Sequence, residues 1–145
     1  MTNRNSRDDG LRDEEYRALA RFRHALRTFE SFSSNAAKTL GLSPAQHQLL
    51  LAIRGHEAPP PSISDIAERL LIRVHSATEL VARADANGLV RRLTDPADGR
   101  RIILELTDQG ERVLAALSVV HRDELRRFRQ EMNDVLGELE PASGI

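Results

Sequence analysis

The chain has 145 residues, 40% of them hydrophobic and 30% charged, a length that suits one domain and a composition that can build a core. It has no cysteine, which excludes disulfides, thiolate metal sites, a cysteine nucleophile and thiol-based redox sensing. No apolar run reaches the roughly 18 residues of a membrane span, and the first residues lack the apolar stretch of a secretory signal, so we expect a cytoplasmic protein without a membrane partner.

The net charge of −1 conceals an uneven distribution of charged side chains. Residues 69–101 carry seven basic and four acidic side chains, whereas residues 1–68 are neutral in sum and residues 102–145 have an excess of four acidic ones. A local basic excess matters more for binding a polyanion than the total charge does. The charges therefore favour residues 69–101 as the site of a nucleic-acid contact. An excess of this size also arises by ordinary variation in composition.

The predicted elements begin with a long amphipathic helix over residues 14–40, after a polar segment at 1–13 that we expect to be a flexible tail. A second long apolar stripe predicts a last helix over 108–140, which Thr107 can cap. Both stripes are longer than a small domain needs, which indicates burial against a second subunit. The first stripe is formed by Tyr16, Leu19, Phe22, Leu26, Phe29 and Phe32.

Three shorter helices are predicted between the two long ones. Ser43 caps the first and Pro44 suits its first position, while Gly55 can end it in a left-handed conformation. After a proline-rich loop, Ser64 is expected to cap the second, and a tight connection at 72–74 leads to the third. The inward face of the third helix is predicted to consist of Ala77, Leu80, Val81 and Ala84.

Two strands are predicted at residues 89–94 and 101–106, joined by the turn-rich segment DPADGR, and Ser62 with Ile63 can add a short third strand. A short helix, a tight turn, a second helix and a hairpin form a winged helix-turn-helix. The predicted fold class is therefore mainly α with a small β-hairpin. In such a fold the second helix enters a major groove, and arginine at the hairpin tip reaches the neighbouring minor groove.

The chain resembles the MarR family of transcriptional regulators (multiple antibiotic resistance regulators) in four successive segments: LSPAQHQLLLAI, SISDIAERL, GLVRRLTDPADGRR and LTDQG. The resemblance covers roughly residues 14–140. It implies a single domain at 14–145, in which 14–40 and 108–140 are dimerisation helices and 43–106 is the winged helix-turn-helix. It also implies a homodimer on a pseudo-palindromic double-stranded DNA operator, acting as a repressor that a small anionic or phenolic effector releases.

The resemblance also implies which residues contact DNA. Asp98 and Arg100 match the family's wing motif, in which the carboxylate holds the guanidinium that enters the minor groove. Arg101 follows and can contact phosphate, although the segment can also be an ordinary solvated turn. The set expected to contact DNA is Arg73, His75, Ser76, Thr78, Arg83, Asp98, Arg100 and Arg101.

The predicted recognition helix departs from the family pattern at Glu79, where a basic residue is usual. One interpretation is a capping box between Ser76 and Glu79 that starts the helix late. The other is that Glu79 accepts a hydrogen bond from a cytosine amino group. Both stay open on the sequence alone.

An effector cleft between the dimerisation layer and the DNA-binding part is implied by the same resemblance. From their positions on the first two helices, Phe22, His24 and His47 are expected to line it, though each can equally be a core or surface residue.

Two other classes of function are less well supported. None of the five histidines has the HxxxH or HExxH spacing of a helical metal site, and there is no phosphate-binding loop or nucleophile motif, so we expect no enzyme, metal or cofactor. A pure interaction module built on the long helices leaves the wing arginines unexplained.

Overall fold

The computed structural model describes residues 10–139. They form helices α1 (Asp13–Thr39), α2 (Pro44–Arg54), α3 (Ile63–Leu70), α4 (Val74–Ala86) and α5 (Asp108–Leu139), with strands β1 (Val90–Thr94) and β2 (Ile102–Leu106) between α4 and α5. The strands pair as one antiparallel hairpin, which confirms the predicted helical fold with a wing. Residues 1–9 of the expected tail and 140 of the last helix lie outside the described residues. No described helix is both long and apolar enough to span a membrane.

The chain divides into two compact units. Among the described residues, the terminal unit consists of 10–32 together with 122–139, and the central unit consists of 33–121. The central unit contains α2, α3, α4 and the hairpin complete, with the end of α1 and the beginning of α5.

Side chains of α1 and α5 meet within the terminal unit. The ring centroids of Phe29 and Phe128 lie 5.3 Å apart, and Arg21 forms ion pairs with Glu131 (Nη2–Oε1 3.1 Å) and with Glu138. Other large apolar side chains of the two helices remain 41–57% exposed in this unit: Tyr16, Leu19, Leu125 and Leu136.

One apolar core holds the central unit together, with contributions from all of its helices and from both strands. The buried residues of α4 are the four that its periodicity predicts as the inward face. Burial of a large aliphatic side chain stabilises the fold by about 1.5–3 kcal/mol, so this shared core sets the positions of α3, α4 and the hairpin. Its largest fully buried members include Leu49, Leu50, Ile66, Val81, Leu104 and Leu117.

The structure confirms the predicted cap at the start of α2 but not the predicted conformation at its end. Ser43 caps the helix, since its side chain accepts from the backbone N of Gln46 at 3.1 Å. The prediction for Gly55 was wrong: its φ is −86°, in the right-handed region. Its N–H still donates to Leu51 O, so the chain continues the helical turn instead of reversing it.

The start of α3 also corrects the prediction, because Ser62 and not Ser64 is its cap. The Ser62 hydroxyl accepts from the backbone N of Asp65 at 3.2 Å, and Asp65 Oδ2 accepts from the backbone N of Ser62 at 2.9 Å. This reciprocal capping box starts the helix at Ile63. The predicted strand at 62–63 is reduced to a single antiparallel bridge between Ser62 and Ile103.

The first turn of α5 lies directly against the backbone before β1. Thr107 caps the helix, as predicted, and its Oγ1 accepts from the backbone N of Gly110 at 3.1 Å. The backbone N of Thr107 donates to Leu89 O at 3.1 Å. A Cβ added to Gly110 would lie only 2.1 Å from Leu89 O, so this close approach requires glycine.

We expect Gly110→Ala to destabilise the protein by about 1–3 kcal/mol, because its methyl group overlaps a backbone carbonyl that cannot move without displacing β1. The matched control is Gly137→Ala in the same helix, where no described residue outside its own stretch of helix lies within 4 Å of the added carbon. That change should raise stability by up to about 1 kcal/mol through helix propensity. Thermal denaturation measures both, and an unaltered melting temperature for Gly110→Ala would contradict the described packing of α5.

Candidate nucleic-acid interface

The outer face of α4 is open to solvent, because the buried side chains of the helix all lie on its inward face. His75, Ser76, Glu79 and Arg83 are exposed along it. Arg73, the N-cap residue, is also exposed and makes no side-chain cap bond. The outer face therefore offers several polar groups to whatever approaches the helix from outside.

Thr78, on the same helix, forms a hydrogen bond within the helix. Its hydroxyl donates to the carbonyl of Val74 at 2.9 Å. The donor is therefore used by the helix, and the oxygen retains acceptor capacity at the surface.

The tip of the wing is shaped by two aspartates that bond to the backbone. Asp95 Oδ1 accepts from the N of Ala97 at 2.9 Å, and Asp98 Oδ1 accepts from the N of Arg100 at 3.1 Å. Within residues 10–139, no ion pair joins the Asp98 carboxylate to the Arg100 guanidinium. Asp98 thus sets the course of the turn, whereas the resemblance implied a bond between the two side chains.

Arg101 connects the wing to the start of α3. Its Nη2 lies 2.7 Å from Asp65 Oδ2, the same oxygen that accepts from the backbone of Ser62. The Ser62 hydrogen bonds, and to a smaller degree the positive charges of Arg101 and His56, keep the pKa of Asp65 below its usual value. Arg101 is therefore engaged with the protein itself, and its contact with phosphate stays a prediction.

Asp65 is the residue of this region that the sequence analysis missed. The available signal was the Ser-x-x-Asp spacing at 62–65, which marks a helix start. Nothing in the local pattern could show that Arg101, 36 residues away, would share the same carboxylate.

Ion pairs divide the arginines around α4 and the hairpin into two groups. One group is paired with carboxylates and consists of Arg91, Arg92 and Arg101. The other is exposed and has no ion pair in the part of the chain that the structure describes; it consists of Arg73, Arg83 and Arg100. An unpaired guanidinium keeps all five of its donors for an incoming ligand. The three unpaired arginines all belong to the set that the sequence predicts to contact DNA.

A groove of about 570 Å³ opens between the start of α3, the first turns of α4 and the wing. Its lining includes four of the residues predicted to contact DNA: Thr78, Asp98, Arg100 and Arg101. The other four lie outside this lining, at the start of α4 or along its outer face: Arg73, His75, Ser76 and Arg83. Its charged lining consists of Asp65 and Asp98 with Arg100 and Arg101, and of the two arginines only Arg100 is without an ion pair among the described residues.

The residues expected at an effector cleft belong to different units. Phe22 and His24 are in the terminal unit, where His24 lines an open groove of about 340 Å³ together with Phe128 and Glu131. Phe22 is half-buried and does not line that groove. His47 is in the central unit and is buried.

The surroundings of His47 are those of a core residue. Its ring centroid lies 5.0 Å from that of His121, which contacts the carbonyl of Leu117 and the hydroxyl of Ser33 through its two ring nitrogens. Burial, and then the neighbouring His121, lower the pKa of His47 from its usual value of 6.5. The neutral imidazole is thus the form that fits this position.

We expect the stability of the protein to fall as the pH drops below about 6.5. Because the pKa of His47 is lower in the folded chain, the unfolded chain binds a proton first and is stabilised by it. Above about 6.5 this contribution is fully present. Calorimetry across this range measures the loss, and His47→Leu should make it shallower. An unchanged pH dependence in His47→Leu would show that His47 is not its source.

Comparison with known proteins identifies the family. A model of the MarR family matches residues 40–101. An uncharacterized HTH-type transcriptional regulator of Bacillus subtilis (strain 168), YkoM, is 30% identical over 114 residues, which cover 75% of this chain and 71% of YkoM. The chain belongs to the MarR family of transcriptional regulators. The transcriptional regulator HosA of Escherichia coli O111:H- is 39% identical to this MarR-family chain over 77 residues, 52% of the chain and 54% of HosA.

Solved structures of MarR-family proteins share the fold. AbsC from Streptomyces coelicolor superposes with a TM-score of 0.72 at 21% identity, covering 90% of this chain and 89% of AbsC. A mutant MepR of S. aureus bound to oligodeoxyribonucleotide gives 0.65 at 19% identity, covering 86% of this chain and 98% of MepR. This MarR-family chain is thus a DNA-binding transcriptional regulator with a winged helix-turn-helix, and the expectation that it is not an enzyme is confirmed.

Proposed function

We propose that this MarR-family regulator binds a pseudo-palindromic operator as a homodimer, with α4 in the major groove and the wing in the adjacent minor groove. The observation that carries the proposal is the group of unpaired arginines: Arg73 before α4, Arg83 on it and Arg100 on the wing. Phosphates and base edges accept from guanidinium groups. Arginines without a carboxylate partner bind them without first losing an internal ion pair.

The outer face of α4 has dimensions and chemistry that fit a major groove about 12 Å wide. In the proposed complex, Arg73 and Arg83 contact phosphates or base edges. The polar side chains between them, His75, Ser76 and Thr78, lie nearest the bases. MepR, a structural relative, is solved bound to oligodeoxyribonucleotide, which supports the same use of the fold here.

The wing is proposed to contact the minor groove through Arg100, whose guanidinium is attracted by the negative potential of narrow A·T-rich segments. Asp98 shapes the turn that presents it. Arg101 holds the wing to α3 through Asp65 and can reach phosphate from there.

The dimer is proposed to form through the helices predicted at 14–40 and 108–140. Large apolar side chains of these helices are exposed in the single chain, including Tyr16 and Leu136 at 57% and 54% and Val119 at 64%. Apolar surface of this kind is commonly buried in an assembly. Two-fold symmetry would then place two α4 helices about one DNA turn apart, ~34–36 Å, which requires a pseudo-palindromic site.

The regulator is further proposed to be a cytoplasmic repressor that a small anionic or phenolic effector releases. An effector lowers operator affinity if it binds more tightly to a dimer whose two α4 helices are spaced wrongly for DNA. Phe22, His24 and His47 remain the proposed contacts. His24 has support from the groove that it lines in the terminal unit, whereas the burial of His47 favours a structural role.

We expect Arg100→Ala to weaken binding to the operator on the order of tenfold or more, because it removes the unpaired guanidinium of the wing. The probe is the duplex that the unsubstituted protein selects from a random pool, and fluorescence anisotropy at moderate salt measures the affinity. The matched control is Arg92→Ala, an exposed arginine of the same hairpin that is already paired with Asp85.

The control should lower affinity much less than Arg100→Ala does, and circular dichroism should show both variants folded. Equal affinity of Arg100→Ala and the unsubstituted protein would contradict the role assigned to the wing.

A further inference from the structure

We propose that Glu79 is a specificity-determining residue, whose carboxylate accepts a hydrogen bond from the exocyclic amino group of a cytosine in the major groove. The inference rests on the proposed placement of α4 in that groove. It assigns a particular base to one position of each half-site of the operator.

The structure excludes the interpretation in which Glu79 caps the start of its own helix. Arg73 is the N-cap and α4 begins at Val74, so Ser76 already lies inside the first turn. The interpretation that Ser76 and Glu79 form a capping box and start the helix late is therefore wrong. Glu79 instead lies in the second turn on the outer face, with 58% of its side chain exposed.

One oxygen of the Glu79 carboxylate lies beside a histidine, and the other is open. His75, one turn earlier, places its Nε2 3.4 Å from Glu79 Oε1. Glu79 Oε2 has no partner among the described residues. Because a carboxylate accepts through both oxygens, Oε2 can accept from a base while Oε1 stays beside His75.

Glu79 is the charged acceptor of this part of the face, next to the Thr78 hydroxyl oxygen, which also keeps acceptor capacity. Ala82, exposed near the same line of the helix, has no polar side-chain atom. Thr78 uses its hydroxyl hydrogen on the Val74 carbonyl. A base opposite the middle of α4 therefore meets a carboxylate.

The chemistry of the base edges selects cytosine. In the major groove, guanine presents two acceptors and thymine one acceptor and a methyl group, which repel or fail to bond a carboxylate. Adenine presents its amino donor beside the N7 acceptor, whereas cytosine presents an amino donor alone. The negative charge of Glu79 also repels the phosphates and weakens binding to every sequence. Only a site with a cytosine amino group opposite Glu79 offsets this loss of affinity. Glu79 therefore adds specificity more than affinity.

The test compares the base preferences of the unsubstituted protein, Glu79→Gln and Glu79→Ala, each by selection from a random duplex pool followed by affinity measurements. The unsubstituted protein should require cytosine at one position in each half-site. Replacing that cytosine by thymine should weaken its binding on the order of tenfold. Glu79→Gln should shift the preference at that position to adenine, since an amide both donates and accepts, and Glu79→Ala should lose the preference there alone.

Glu68→Gln is the matched control, because it neutralises an exposed carboxylate on α3 and should leave the selected sequence unchanged. The inference is overturned if both Glu79 variants select the same site as the unsubstituted protein with the same relative affinities. In that case the proposed function still stands. An unsubstituted protein that selects no defined site overturns both.

Discussion

The short segment before α3 is the junction that links the two parts of the proposed DNA-binding surface, the helix pair α3–α4 and the wing. Ser62 and Asp65 exchange hydrogen bonds and so start the helix that precedes α4. Asp65 also pairs with Arg101 of the wing, and the carbonyl of Pro61 accepts from Leu104 in β2. An ion pair this exposed contributes little to stability. The ion pair instead positions the wing, because the Asp65 carboxylate links the start of α3 to the residue just before β2.

The distribution of ion pairs explains how a chain with a net charge of −1 can present unpaired arginines to DNA. Internal ion pairs occupy Arg101, Arg91 and Arg92, which hold the hairpin and its neighbours in place. The arginines left without carboxylates flank the outer face of α4 or lie at the wing tip. The arginines of the middle third thus fall into two groups. Those with ion pairs contact the protein itself, and those without ion pairs are available to a ligand. The single carboxylate in the middle of α4, Glu79, then sharpens the choice among sequences.

The sequence predicted the helices, the hairpin and the inward face of α4, because an element that buries one face repeats its apolar residues with its own period. It failed at two helix starts. Ser62 and Ser64 can both cap a helix, but only Ser62 has a carboxylate three residues later, and Asp65 completes the capping box with it. Ser76 and Glu79 had the spacing of a capping box, yet α4 starts earlier at Val74. Side-chain pairs between distant segments, such as His47 with His121, leave no periodic trace.

The absence of cysteine allows a direct test of the central claim, that α4 and the wing of two chains contact consecutive grooves of one duplex. A single cysteine at Gly99→Cys or at Ala86→Cys can carry an iron chelate that cleaves nearby DNA. Beyond the chain neighbours of Gly99, no atom of residues 10–139 lies within 4 Å of a Cβ added there, and Ala86 is exposed at the end of α4. Two symmetric sets of cuts are predicted from each variant: Ala86→Cys should cut in two major grooves about one helical turn apart, and Gly99→Cys in the minor grooves that flank them on the outside. Scattered cuts, or a single set, would contradict the central claim.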